Sequence, residues 1–311
     1  MQNSRRYKDF TSFIKKRFGA RVQKVCINAG FTCPNKDGSK GTGGCTYCNN
    51  NTFNPDYCKP IKPIKVQIDE GIVFFSKKYK AQKYLAYFQA YTNTYAPLSD
   101  LKRMYEEALG HEDVIGLVIA TRPDCIKNDV LDYLQELVNK GYFIKLEFGL
   151  ESTNNDTLKT INRCQTHEDA IDAFNRADGR GLHLGGHLIL GLPGETKEDM
   201  LAHARKISDL PINTLKIHHL QIVKHTMMAY QFKHTPEIFT FMELEEYIDL
   251  VVDFIELLNP NIILERFFSE SPSSMLIHPK YGLKNFEVKH LVEKRLEERN
   301  TMQGCLFQVS H

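Results

Sequence analysis

Cys33-Pro-Asn-Lys-Asp-Gly-Ser-Lys-Gly-Thr-Gly-Gly-Cys45-Thr-Tyr-Cys48 is the stretch on which the reading of this 311-residue chain turns. Three cysteines share one glycine-rich loop, and the last two stand at Cys-x-x-Cys with Tyr47 directly before the final sulfur. At that spacing a turn lets both thiolates point at one soft metal centre. Eleven residues separate Cys33 from Cys45, and the four glycines among them let the longer arm fold back without steric strain. Two metal readings follow. An iron-sulfur cube held by three cysteines keeps one iron open, whereas zinc takes a fourth thiolate, for which Cys58 and Cys26 are the candidates.

Working outward, the chain is long enough to bury a full core. It has no apolar run near the ~20 residues of a membrane helix, and its start lacks a signal-peptide core. A cytoplasmic protein is expected. Eight cysteines, three of them in one loop, suit metal chemistry under reducing conditions better than a disulfide framework. Net charge is only +2, yet residues 1–83 hold seventeen Lys or Arg against five Asp or Glu, a local +12. That asymmetry points to a polyanion docking near the cysteine loop. The competing reading is a solvated helix face, with Arg5, Arg6, Lys15, Lys16 and Arg17 surrounding Phe10, Phe13 and Ile14.

Apolar runs and amphipathic stretches then alternate. Strands are expected at 22–28, 84–91, 114–121, 143–149, 182–190 and 214–223, with helices at 66–78, 98–109, 128–139, 155–161, 168–177 and 196–210 between them. Six strands in that rhythm imply parallel neighbours and right-handed crossovers, hence an α/β barrel or open sheet. In either geometry chemistry collects at the carboxyl ends of the strands, and the cysteine loop follows the first of them. Three units are expected: a basic amino-terminal helix over 1–21, a core over 22–228, and a small α+β extension over 229–311. The extension would hold a helix at 242–258, a strand at 262–267, the turn Ser271-Pro-Ser-Ser and a helix at 286–299. Along that last helix Val288, Leu291, Val292 and Leu296 share one face, a docking surface for the core.

A three-cysteine loop after the first strand of such a series resembles the radical S-adenosylmethionine (SAM) enzymes. Thr121-Arg-Pro-Asp, Glu147-Phe-Gly-Leu-Glu-Ser152, Asn162-Arg163 and Leu190-Gly-Leu-Pro-Gly-Glu-Thr196 are similar to the branch containing Elp3, MiaB and the coproporphyrinogen-oxidase-like proteins. Phe88-Gln-Ala-Tyr-Thr-Asn-Thr-Tyr95 and Cys33-Pro-Asn-Lys-Asp-Gly resemble the YhcC/YtqA subfamily. The motifs occur in the expected order over about residues 22–225. One departure is the first cysteine gap, which is longer than the commoner Cys-x-x-x-Cys of the superfamily.

The resemblance implies a partial (β/α)6 barrel with a small carboxyl-terminal extension, and a [4Fe-4S] cluster on Cys33, Cys45 and Cys48 whose open iron binds SAM. It places Ala90, Tyr91 and Thr92 at the SAM amino group, Glu151 at a ribose hydroxyl, Arg163 at the SAM carboxylate and His187 near the ribose. For Glu151 and Arg163 a mutual ion pair competes, and for His187 a satisfied core position. Gly191 and Gly194 suit a tight strand-to-helix turn. Cys26 reads as a buried small hydrophobe; Cys125 and Cys164 flank expected site loops, where a structural role competes with that of substrate-side thiols, and alternation lets only one of His218 and His219 point inward. The resemblance further implies an external electron donor such as flavodoxin or ferredoxin, no membrane partner, and a tRNA base as substrate, with the C5 side chain of a wobble uridine as the leading choice. A small-metabolite substrate and a zinc-stabilised RNA-binding protein stay open.

Overall fold

The computed structural model describes residues 5–52, 54–77 and 82–309. The first four residues of the expected amino-terminal helix, and Lys78 at the end of the helix expected at 66–78, lie outside them. Strand and helix alternate as the apolar pattern requires: β1 (Arg21–Ile27), α2 (Ile64–Ser76), β2 (Gln82–Phe88), α3 (Leu98–Leu109), β3 (Val114–Thr121), α4 (Asn128–Asn139) and β4 (Phe143–Glu151). Two helices, α5 (Asn155–Thr160) and α6 (His167–Ala177), lead to β5 (His183–Leu190), α7 (Lys197–Ser208) and β6 (Thr214–His219). Ahead of them stands α1 (Phe10–Phe18), and after them come β7 (Ile222–Val223), α8 (Met227–His234), α9 (Leu244–Leu257), β8 (Ile263–Arg266), β9 (Leu276–His278) and α10 (Asn285–Glu298).

Seven strands pair in parallel in the order β1-β2-β3-β4-β5-β6-β8. The sheet curls into a partial barrel, so that Lys24 on one edge strand ion-pairs with Glu265 on the other. The strand at 262–267 is therefore the seventh strand of the main sheet, with α9 packed between α7 and α10. The strand expected at 214–223 breaks at Leu220, and its last two residues pair antiparallel with β9. Helices cover the outer face through one large apolar core that includes Leu101, Tyr105, Leu134, Phe174 and Phe254.

The barrel interior is layered. At the amino ends of the strands α1 closes the bottom: Ile14 is buried there with Leu85, Val118 and Phe143, and the Phe13 ring stacks on His183 at 5.0 Å. Asp9 caps that helix, its side chain accepting the Ser12 N–H, and Gly19 ends it in the left-handed region. The basic residues Lys15, Lys16 and Arg17 thus sit at the end of the barrel away from the cysteine loop, which corrects the expected placement of the amino-terminal charge. A charged layer fills the middle, and above it a cavity of about 280 Å³ opens at the carboxyl ends of the strands.

Candidate active site

The cysteine loop leaves β1 and is tied down by backbone bonds. The Cys33 carbonyl accepts the Lys36 and Asp37 N–H groups at 2.8 and 3.1 Å, and the Cys48 N–H donates to Cys45 O at 3.0 Å, closing the turn that the two-residue spacing requires. Gly43 and Gly44 both have positive φ, 78° and 81°, where a side chain would be strained. Asn162 secures the long arm by donating from Nδ2 to Gly44 O at 2.9 Å and to Thr42 O at 3.3 Å. From the neighbouring segments, the Thr46 N–H donates to Ile161 O at 3.0 Å and Met228 N–H donates to Thr46 O at 2.8 Å. Cys45 is buried, with Asn35 Nδ2 and Arg163 Nη1 lying 3.5 and 3.6 Å from its sulfur. Burial, then the neighbouring Cys45, pushes the Cys48 thiol up to about 12. A negative sulfur there calls for a compensating cation.

Cys33, Cys45, Cys48, Ala90, Tyr91, Thr92, Glu151, Arg163 and His187 all line the one cavity. After β2 the chain turns with Ala90 and Tyr91 both left-handed, at φ 69° and 64°, so two non-glycine residues adopt the conformation a glycine-rich turn would supply. Asn93 holds this turn, donating from Nδ2 to Ala90 O at 3.1 Å and to Ala120 O at 2.8 Å. At the end of β4 a bulge between Gly149 and Glu151 re-aims the strand, with Glu151 at φ 66°. Arg163 reaches into that bulge. Its Nη2 donates to Gly149 O at 2.7 Å and stands 3.6 Å from Glu151 Oε1, so the competing ion pair does form. A Cβ on Gly149 would meet Arg163 Nη2 and Glu151 Oε1, each at 2.6 Å. The pair nevertheless leaves the buried Arg163 Nε without a partner, as it does Thr92 Oγ1 nearby in the wall.

In Thr121-Arg-Pro-Asp, Thr121 and Arg122 also line the cavity. Arg122 forks onto Asp124 at 2.9 and 3.0 Å and donates to Arg163 O and Cys164 O, fixing the segment that carries Arg163. In Leu190-Gly-Leu-Pro-Gly-Glu-Thr196 both glycines have positive φ and Thr196 caps α7. Glu195 faces Ser152 at 2.6 Å and His203 at 3.0 Å, so this acid joins two motifs and does not enter the cavity.

Of the charged middle layer, only Glu147 falls within the motifs legible in the sequence. Glu147 is paired with Lys145 at 2.8 Å, Lys216 at 2.7 Å and Lys24 at 3.1 Å, and Glu265 meets the same three lysines. Burial alone would raise the Glu147 carboxyl, but Lys145, Lys216 and Lys24 hold it well below the usual carboxylate range. Burial pulls Lys145 down to about 8. His187 Nε2 lies 3.1 Å from Glu147 Oε2, and its ring stacks on His218 at 5.4 Å. One signal could have exposed this layer: Lys24, Lys145, Glu147 and Lys216 put charge inside expected strands, at positions the alternation turns inward.

A cluster fits these thiols better than a closed zinc site does. Cys58 is buried beside Cys26, and neither lines the cavity, so the four-thiolate alternative lacks its fourth ligand there. Among the described residues no three His, Cys, Asp or Glu side chains converge closely enough for a single ion. Sulfurs on three corners of a cube stand farther apart than three sulfurs on one ion. The orphaned Arg163 Nε and Thr92 Oγ1 beside them suit a polar ligand alongside the cluster. Among the described residues no helix is long and apolar enough to cross a membrane.

Comparison with known proteins agrees with this architecture. The family described as "Radical SAM superfamily" matches residues 36–207, and "Radical_SAM C-terminal domain" matches residues 212–298. The uncharacterised protein YtqA of Bacillus subtilis is 35% identical over 98% of this chain and 94% of its own length. A tRNA uridine(34) acetyltransferase of Dehalococcoides mccartyi is 26% identical over 62% of this chain and 40% of its own length. Among solved structures, the Elp3 of Methanocaldococcus infernus shares the fold with a TM-score of 0.68 at 17% identity, covering 91% of this chain and 64% of that one.

Proposed function

This chain belongs to the radical SAM superfamily, and on that premise we propose that Cys33, Cys45 and Cys48 hold the [4Fe-4S] cluster of an enzyme that modifies a tRNA base, at the C5 side chain of a wobble uridine. The cluster and SAM are the cofactors of the family. Bound there, they would supply one-electron cleavage of a SAM carbon–sulfur bond, with methionine as leaving group, and hydrogen-atom abstraction from the substrate, the electron coming from an external donor such as flavodoxin or ferredoxin.

The protein's part is binding and exclusion. Arg163 offers its unpartnered Nε–H to the SAM carboxylate, and the left-handed turn at Ala90 and Tyr91 with Thr92 faces the amino group. Glu151 accepts from a ribose hydroxyl. His187 is kept neutral by burial, then by Lys216; it donates from Nε2 to the ionised Glu147 and presents Nδ1 as an acceptor. Burial of Cys45, Thr92 and Arg163 limits water at that end of the cavity. The observation that carries this reading is the convergence of nine residues from five separate stretches on one cavity at the carboxyl ends of the strands. The tRNA assignment draws support from the acetyltransferase relative and from exposed lysines on the cysteine loop.

Three measurements test it. Protein reconstituted anaerobically should be brown with roughly four irons per chain, and Cys33→Ala, Cys45→Ala and Cys48→Ala should each abolish SAM cleavage while Cys26→Ala and Cys58→Ala retain it. Colourless protein with one tight zinc would sink the cluster assignment. Mass profiling of tRNA nucleosides from a deletion strain should show an altered wobble uridine, and an unchanged profile would move the substrate to a small metabolite.

A further inference from the structure

One wall of the cavity carries more basic than acidic charge. Lys216 in β6 and Arg266 in β8 are partners in a parallel strand pair, just past a register shift, and both line the cavity. Like charges set opposite one another on neighbouring strands destabilise a sheet unless something offsets them. Lys216 is offset by Glu147 and Glu265, but three lysines share those two glutamates. Arg266 is exposed, and among the described residues no hydrogen bond or ion pair ties its guanidinium to the protein, which leaves it available to a ligand in the cavity it lines.

One adjoining histidine points the same way. His218 shares the inward face of β6 with Lys216, and its ring stacks on His187 at 5.4 Å. Its Nδ1 pairs with Ser269 Oγ, and its buried Nε2 has no partner. His219, on the opposite face, stacks on Phe268 at 4.0 Å in the outer core. Two cations and an unused imidazole nitrogen on one wall make a site for negatively charged oxygen.

We propose that Arg266, Lys216 and His218 form a seat for an anionic oxygen group of the substrate, a carboxylate or a phosphate, distinct from the place where Arg163 takes the SAM carboxylate. In a tRNA the group is a phosphate flanking the reacting nucleotide or an acid on the base itself, and in a small metabolite it is that molecule's own acid. The proposal rests on reading the cavity as the reaction site.

The test uses the full chain reconstituted with its cluster and saturated with SAM, titrated at constant ionic strength with inorganic phosphate in one arm and acetate in the other. The thermal unfolding midpoint should rise saturably with at least one anion, phosphate alone indicating a phosphate seat and acetate alone a carboxylate seat. Arg266→Gln should weaken that response about tenfold or more, Arg266→Lys should recover part of it, and Arg163→Gln should leave it in place. No saturable response to either anion, or an unchanged response in Arg266→Gln, overturns the seat while the cluster and SAM readings stand. If Arg266→Gln lowers SAM affinity as much as Arg163→Gln does, the wall belongs to SAM and the proposal fails. A chain that takes up no cluster overturns the reading beneath it and the seat together.

Discussion

Glu147 is the residue on which the interior depends, for it faces three lysines and His187 with almost no access to water. Breaking a buried pair by removing one partner costs about 3–5 kcal/mol, because the remaining charges lose their compensation. Glu147→Gln should therefore destabilise the chain by about that much in urea unfolding. The pH dependence has a definite sign. Glu147 and Glu265 both titrate below their ordinary value of 4.5, so the unfolded chain binds protons that the folded one refuses. Their contribution is fully present above that value and is lost as the pH falls through the folded values. Wild type and Glu147→Gln should therefore converge in stability as the medium is acidified, and a constant difference down to acid pH would remove Glu147 from that role.

At the scale of elements, the bulge ending β4 links two motif stretches, since Gly149 and Glu151 meet Arg163 within it. The fit depends on the missing side chain at Gly149. A methyl there would displace the guanidinium and the carboxylate together, because each already lies 2.6 Å from where that carbon would sit. Gly149→Ala should keep its iron yet bind SAM more weakly by about 1.5–3 kcal/mol, the range for a charged hydrogen bond. Equilibrium dialysis with SAM under anaerobic conditions measures this, and wild-type affinity in Gly149→Ala would show that Arg163 is not the carboxylate clamp.

On the scale of the whole molecule, the distribution of basic residues decides how a polyanion would approach. Lys15 and Lys16 lie on α1 at the closed end of the barrel, and Arg5 is engaged by Asp9 and Glu293. Lys36 and Lys59 instead are exposed on the connection from β1 to α2, where the cavity opens, and the Lys36 ammonium lies 5.3 Å over the Tyr91 ring. Lys36→Glu with Lys59→Glu should weaken tRNA binding in fluorescence anisotropy and reduce the salt slope by about one for each phosphate left without its cation. Lys15→Glu with Lys16→Glu should leave both unchanged. The reverse pattern would put the RNA on the closed end, out of reach of the cysteines.

By itself the sequence determined the order and type of the barrel elements, because apolar period and turn residues act within a few positions of each other. It also determined that three thiols share one loop after β1, since a short loop cannot scatter its own residues. What lies far apart in the chain was decided by the tertiary structure. Closing of the sheet brought Lys24 and Glu265, on strands at opposite edges, into one charged layer, and α1 folded under the barrel and carried its lysines away from the cavity. The 262–267 strand looked like part of an appended unit but pairs with β6, because an unpaired edge strand gains more from joining a sheet than from standing alone. Ala90 and Tyr91 take the left-handed conformation without any glycine to announce it, since Asn93 and the ends of the neighbouring strands impose that turn from outside. Local pattern sets the period and direction of a strand; which charge meets which across the barrel is fixed only when the ends come together.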